Sequence, residues 1–123
     1  MKIIKFRIYD DITPTPRMIY QNDLFSMTLD GKLRYGNADF TKDYKIMQYT
    51  GLKDKNGVEI YEGDIIEFKP YTVSCDSKRR GIVVYDKANY CAEIKNQFKY
   101  NIIDCFDLEV IGNVFENKEL LNE

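Results

Sequence analysis

The stretch Met47-Gln48-Tyr49-Thr50-Gly51-Leu52-Lys53-Asp54-Lys55-Asn56-Gly57-Val58-Glu59-Ile60-Tyr61-Glu62-Gly63-Asp64-Ile65-Ile66-Glu67-Phe68 reads as strand, turn, polar bend, strand. Asn56-Gly57 suits a reversal whose central residues take positive φ, because Asn tolerates the left-handed region and Gly has no Cβ to clash there. Gly63-Asp64 then breaks the chain just before the apolar run from Ile65 to Phe68. Two reversals this close together predict a β fold. The same stretch holds no nucleophile–base pair, no metal-ligand spacing and no phosphate loop.

Upstream, Ile4, Phe6 and Ile8 alternate with Lys5, Arg7 and Tyr9, the period of a half-buried strand. Asp10-Asp11, Pro14 and Pro16 force an extended polar turn, since proline donates nothing to a strand ladder and pushes its predecessor away from helix. Arg17 to Tyr20 is the expected return strand. Phe25, Met27 and Leu29 alternate again, and Asp30-Gly31 is a hairpin turn into Leu33 and Tyr35. The polar run Asn37 to Asp43 is the expected seam between subdomains.

Downstream, strands are expected at Lys45 to Tyr49, Ile65 to Phe68, Gly81 to Tyr85, Cys91 to Lys95 and Leu108 to Phe115. Ile82-Val83-Val84 is a continuous apolar run of the kind found where both faces are covered. Gly112 marks a bulge or a barrel corner in the last strand, and Asn117 is placed to cap a final helical turn carrying Leu120 and Leu121. The pattern predicts a mainly β chain. Residues 1–43 form an N-terminal β-hairpin region, and residues 44–123 form an SH3-like small barrel with a short C-terminal helix.

A chain of 123 residues buries roughly two-thirds of its unfolded surface, enough to fold without metal or disulfide. Its net charge of −2 gives no global bias toward nucleic acid. Charges interrupt every apolar run in Met1 to Lys5, so that end reads as neither a signal peptide nor a membrane span, and a cytoplasmic location is expected. The three cysteines, Cys75, Cys91 and Cys105, are odd in number and widely spaced. They suit reduced thiols, with Cys91 and Cys105 as small apolar core residues. The chain has no histidine, which excludes His-dependent triads and His-ligated metals.

Three segments resemble the YopX family of bacteriophage and prophage proteins. The first is Ile4-Lys5-Phe6-Arg7 followed by Tyr9-Asp10. The second runs from Met47 to Gly57 and on through Ile60-Tyr61-Glu62-Gly63-Asp64-Ile65. The third runs from Leu108 to Asn117 and on to Leu120-Leu121. The central segment is long and uncommon. The departures, Tyr9 where the family often has Trp and the paired prolines, touch only the first hairpin. The resemblance implies a phage-encoded accessory protein with a predominantly β fold. It supplies no catalytic residues, because the family is mostly of unknown function.

Candidate chemistry is sparse. Glu62 and Asp64 flank Gly63, but acids beside a glycine at the mouth of a strand serve chiefly as acceptors for backbone N–H groups in the turn. Lys78-Arg79-Arg80 is the one basic run. Three phosphate contacts would give a salt slope of only about −2.7, short of firm nonspecific binders, so a solvated loop is the favoured reading. Ten tyrosines, Tyr49 and Tyr61 among them, invite a stacking platform for single strands, but core packing and protein contacts come first.

From Asp104 onward six acids face Lys118 alone, a local charge of −5 that leaves +3 for the remainder. Lys2, Lys5, Arg7 and Arg17 would form the complementary surface if the tail, with Leu120 and Leu121, docked on a neighbouring copy. A tail closing on its own barrel is the alternative.

The expectation is a non-enzymatic β module, with no metal and no cofactor, that binds protein and self-associates. Its partner would be another copy or a host or phage protein, with no membrane involved. The alternatives are a nucleic-acid-binding small barrel using Lys78, Arg79 and Arg80, and an inhibitor of a host defence or regulatory protein.

Overall fold

The computed structural model describes residues 4–12, 14–20, 26–27, 33–35, 38–39, 44–70, 78–94 and 98–121. The expected Asp30-Gly31 turn, Cys75 and most of the run Asn37 to Asp43, where a division after residue 43 was expected, lie outside them. No described helix is long and apolar enough to cross a membrane.

The chain divides into two compact units, residues 1–49 and 50–123. In the first, β1 (Phe6–Asp10) and β2 (Arg17–Tyr20) form an antiparallel hairpin with Asp10 opposite Arg17. Asp10 Oδ1 accepts the Ile12 N–H at 3.1 Å and starts the turn across the prolines. Three short strands, β3 (Ser26–Met27), β4 (Leu33–Tyr35) and β5 (Ala38–Asp39), make an antiparallel sheet. The long β6 (Lys45–Lys53) pairs with β1 through its N-terminal half and continues into the second unit.

There the chain turns through Asp54 to Val58 into β7 (Glu59–Tyr61), then through Glu62-Gly63 into β8 (Asp64–Pro70). β9 (Arg79–Asp86), β10 (Asn89–Ile94) and β11 (Phe98–Asn101) follow as a meander. A 3-10 turn, Ile102–Asp104, leads to β12 (Cys105–Asn113), which returns to the free side of β8. The sheet order β11-β10-β9-β8-β12 is antiparallel throughout and makes a half-barrel, consistent with the small barrel expected from the strand spacing. The last element is a 3-10 turn at Lys118–Leu121.

The core of this unit is Ile60, Ile66, Phe68, Val83, Ala92, Ile102 and Cys105, with Tyr90, Tyr100 and Val110 packed against it. The Phe68 and Tyr100 rings meet at 5.7 Å. Ile65 and Ile66 are both fully buried, so it is β8 that is covered on both faces at its start. In Ile82-Val83-Val84 only Val83 is fully buried.

Gly112 lies at a bulge, as its place in the strand predicts: the β12–β8 register shifts between Val110 and Gly112, and again between Phe106 and Glu109. Asp107, inside the second shift, has φ +58. A Cβ on Gly112 would stand 2.8 Å from Asn117 Cβ, so the position also admits the Asn117 side chain. Asn117 does not cap the terminal turn with its side chain. Its Oδ1 reaches back to the Asn113 N–H at 3.1 Å, while its main-chain oxygen accepts the Leu120 N–H.

Candidate functional site

Asp54 organises the turn that opens the second unit. Its Oδ1 accepts the N–H groups of Asn56 at 2.8 Å and Val58 at 2.9 Å, and its Oδ2 accepts that of Val110 at 2.9 Å. The Gly57 N–H closes on the Asp54 carbonyl, and only Gly57 of the Asn56-Gly57 pair has positive φ, at +83. The reversal is therefore one residue longer than a two-residue turn with both central residues left-handed. Lys55 N–H donates to the Leu108 carbonyl at 2.9 Å, so the turn docks along β12. Burial pushes the Asp54 carboxyl up. The bonds from Val110, Val58 and Asn56, with Lys55 nearby, outweigh that and hold it below the ordinary 3.8.

The second acid does what a turn acid is expected to do. Asp64, fully buried, accepts the Tyr61 N–H on Oδ2 at 2.8 Å across the Glu62-Gly63 reversal. Gly63, at φ +85, donates to the Val83 carbonyl at 2.9 Å and accepts from the Val114 N–H. This ties the reversal to β9 and to the end of β12. Among the described residues no cluster of three or more Cys, Asp or Glu could hold a metal ion.

The basic run separates on a strand. Lys78 and Arg79 are exposed, and Arg79 and Arg80 open β9 opposite Phe68 and Glu67. Lys78 precedes the strand, and Arg79 and Arg80, as successive strand residues, point to opposite faces. Arg80 instead donates to Glu67 Oε2 and to the Leu120 carbonyl, each at 2.9 Å. The tail is thereby held by its own barrel, with Leu120 and Leu121 half-buried. Asn113 strengthens the attachment by accepting the Phe115 and Glu116 N–H groups on Oδ1.

Residues 5–122 match the YopX protein family. The chain belongs to the YopX family. It is similar to the crystal structure of protein EF1440 from Enterococcus faecalis, with 26% identity over 99% of this chain and 100% of that one, at TM-score 0.61. The crystal structure of yopX from Bacillus subtilis shares the fold at TM-score 0.61, with 18% identity over 96% of this chain and 98% of that one. No curated protein matches this chain.

The two tyrosines singled out in the central YopX segment, Tyr49 and Tyr61, are both buried. Lys5 Nζ lies 5.6 Å from the centre of the Tyr49 ring. Neither ring stands on the surface as a stacking platform would require. Arg7, counted with the cationic N-terminal surface, is buried as well. Alternation alone missed this, because it treats every polar position of a strand as exposed.

Sequence reasoning also missed the aromatic pair of this YopX-family chain. Tyr85 of β9 and Tyr90 of β10 are cross-strand partners, with ring centroids 5.0 Å apart edge to face. Burial raises the Tyr90 hydroxyl, and the Glu62 carboxylate and Tyr85 raise it further. The signal available was two tyrosines flanking a tight turn. Cys91 and Cys105 are buried free thiols, as expected.

Proposed function

We propose that this YopX-family chain is a non-enzymatic protein-binding module, a phage- or prophage-encoded accessory protein that works in the host cytoplasm and self-associates. The observation that carries the reading is the segment from Phe98 to Phe106. Phe98 is 59% exposed, Ile103 74% and Phe106 40%, while Ile102 and Cys105 between them are buried. The buried pair fixes the 3-10 turn, so the backbone that carries Ile103 and leads into Phe106 is already ordered before a partner arrives. Covering what remains exposed would be worth roughly 1–2 kcal/mol for each.

A second copy suits this segment as partner. Lys99 and Asp104 are its only charges, so no net charge opposes the meeting of two identical patches. A host protein, including a defence or regulatory protein that the chain would inhibit, calls on the same apolar chemistry. The nucleic-acid reading is less well supported, because Arg80 is engaged with Glu67 and Leu120. An enzymatic reading has little to draw on, since Asp64 is committed to its turn.

The test is light scattering at tens of micromolar on the wild type and on Ile103→Asp, with a pull-down from nuclease-treated host extract. An oligomer that becomes monomeric in Ile103→Asp, with unchanged circular dichroism, supports the proposal. A monomeric wild type that captures no protein overturns it.

A further inference from the structure

β12 ends the order of its sheet, so its side away from β8 would by itself be an open edge. The turn from Asp54 to Val58 covers that side. The Lys55 N–H donates to the Leu108 carbonyl at 2.9 Å, and the Val110 N–H donates to Asp54 Oδ2 at 2.9 Å. Leu108 and Val110 are two residues apart, the spacing at which a strand presents main-chain groups to one side. The cover depends on the shape of the turn, which Asp54 Oδ1 sets by accepting the Asn56 N–H at 2.8 Å and the Val58 N–H at 2.9 Å.

The same turn carries the chain's one Asn-Gly step, Asn56-Gly57, and both residues are exposed. In such a step the glycine nitrogen, once it loses its proton, can attack the asparagine Cγ. The new C–N bond closes a succinimide ring, the Cγ–Nδ2 bond breaks, and ammonia leaves. Water then opens the ring at either carbonyl to give aspartate or isoaspartate, and nothing is oxidised or reduced. Glycine favours the closure because it has no Cβ to obstruct the ring. The surroundings leave room as well, since a Cβ on Gly57 would meet nothing within 4 Å. What restrains the reaction is the turn itself, in which the Gly57 N–H is committed to the Asp54 carbonyl at 3.0 Å. Ring closure therefore proceeds when this exposed reversal opens locally, an event that costs far less than unfolding the core.

We propose that Asn56 is a self-modification site gated by the Asp54 turn, and that its conversion to isoaspartate unseals the edge of β12. Isoaspartate routes the main chain through the former side chain and so lengthens it between residues 56 and 57. Asp54 Oδ1 then no longer meets the N–H groups of residue 56 and Val58 together. The new carboxylate also stands two residues from Asp54 in the same turn and repels it. With the turn displaced, the Leu108 carbonyl and the Val110 N–H are open to water or to another strand. The site is separate from the Phe98 to Phe106 segment, so its failure would leave the self-association test untouched.

The experiment ages the full chain at physiological temperature and mildly alkaline pH, folded in buffer and unfolded in guanidinium chloride. Peptide mapping with fragmentation that tells isoaspartate from aspartate reads residue 56, and hydrogen exchange followed by NMR reads the Val110 N–H. Asn56→Gln, whose longer side chain closes the ring far more slowly, is aged in parallel. Expected is isoaspartate at residue 56 of the folded wild type, formed about tenfold more slowly than in the unfolded chain. Exchange at Val110 should quicken as isoaspartate accumulates and stay constant in Asn56→Gln. A folded chain that keeps Asn56 intact while the unfolded chain converts overturns the proposal. So does conversion at one rate in both states, or a Val110 N–H that stays protected in the converted chain.

Discussion

Asp54 and Val110 stand 56 residues apart in the chain, yet the Asp54 carboxylate accepts the Val110 N–H at 2.9 Å. The same side chain accepts two N–H groups of its own turn, from Asn56 and Val58. One buried acid therefore shapes the turn and fastens it to β12. Asp54→Ala leaves three donors without that acceptor and should cost about 2–4 kcal/mol in urea unfolding. A loss within experimental error of zero would show that water replaces the carboxylate at no cost.

The same acid sets a pH dependence. Its folded-state pKa lies below the ordinary 3.8, so its stabilisation is complete above that value and is lost as pH falls through the folded value. The stability gap between wild type and Asp54→Asn should be constant near neutrality and should narrow below about pH 4. Urea midpoints across an acid series measure it. A gap that widens in acid contradicts the assignment.

Gly112→Ala should destabilise by about 1–3 kcal/mol, because the new methyl meets Asn117 Cβ at 2.8 Å and Asn117 Oδ1 at 2.7 Å. Adding Asn117→Gly removes the obstacle, so the double variant should lose less than the sum of the single ones. Additive losses would place the cost elsewhere in the bulge.

The β9–β10 turn offers the opposite opportunity. Lys87 and Ala88 both have positive φ, at +49 and +68, which L side chains adopt with strain. Replacing them with Asn and Gly should stabilise the chain by about 1–2 kcal/mol. Calorimetry should show a higher melting temperature, and an unchanged or lower one refutes the strain argument.

These sites show what the sequence makes legible. The return strand Arg17 to Tyr20, the Gly112 bulge and the buried thiols follow from period, composition and a single glycine. The Lys87-Ala88 turn does not, because neither residue carries the usual mark of positive φ and only the pairing of Asp86 with Asn89 imposes it. β7 and β11 are three and four residues long, too short for a period to register. The role of Arg80 depends on Leu120, 40 positions away, and spacing cannot supply such a partner.

Burial also governs the thiols. Cys105 is pushed up to about 11 by burial, with Asp104 and Cys91 adding to the effect, and Cys91 is raised for the same first reason. Neither should react with a thiol reagent at neutral pH in the folded chain, and both should react in urea. Peptide mapping after labelling reads each position. Rapid native labelling of Cys105 would mean that the end of β12 opens readily.

Because β12 fills the side of β8 that β9 leaves vacant, the sheet is closed by the strand that leaves the ribosome after all its neighbours. Until then a nascent chain carries β8, with Ile65, Ile66 and Phe68, as an open edge able to pair with another nascent chain. Translation that pauses before Cys105 should therefore expose this protein to aggregation more than a pause after Asn113. Synonymous codon changes between those two points become a means of altering its yield without altering a single residue.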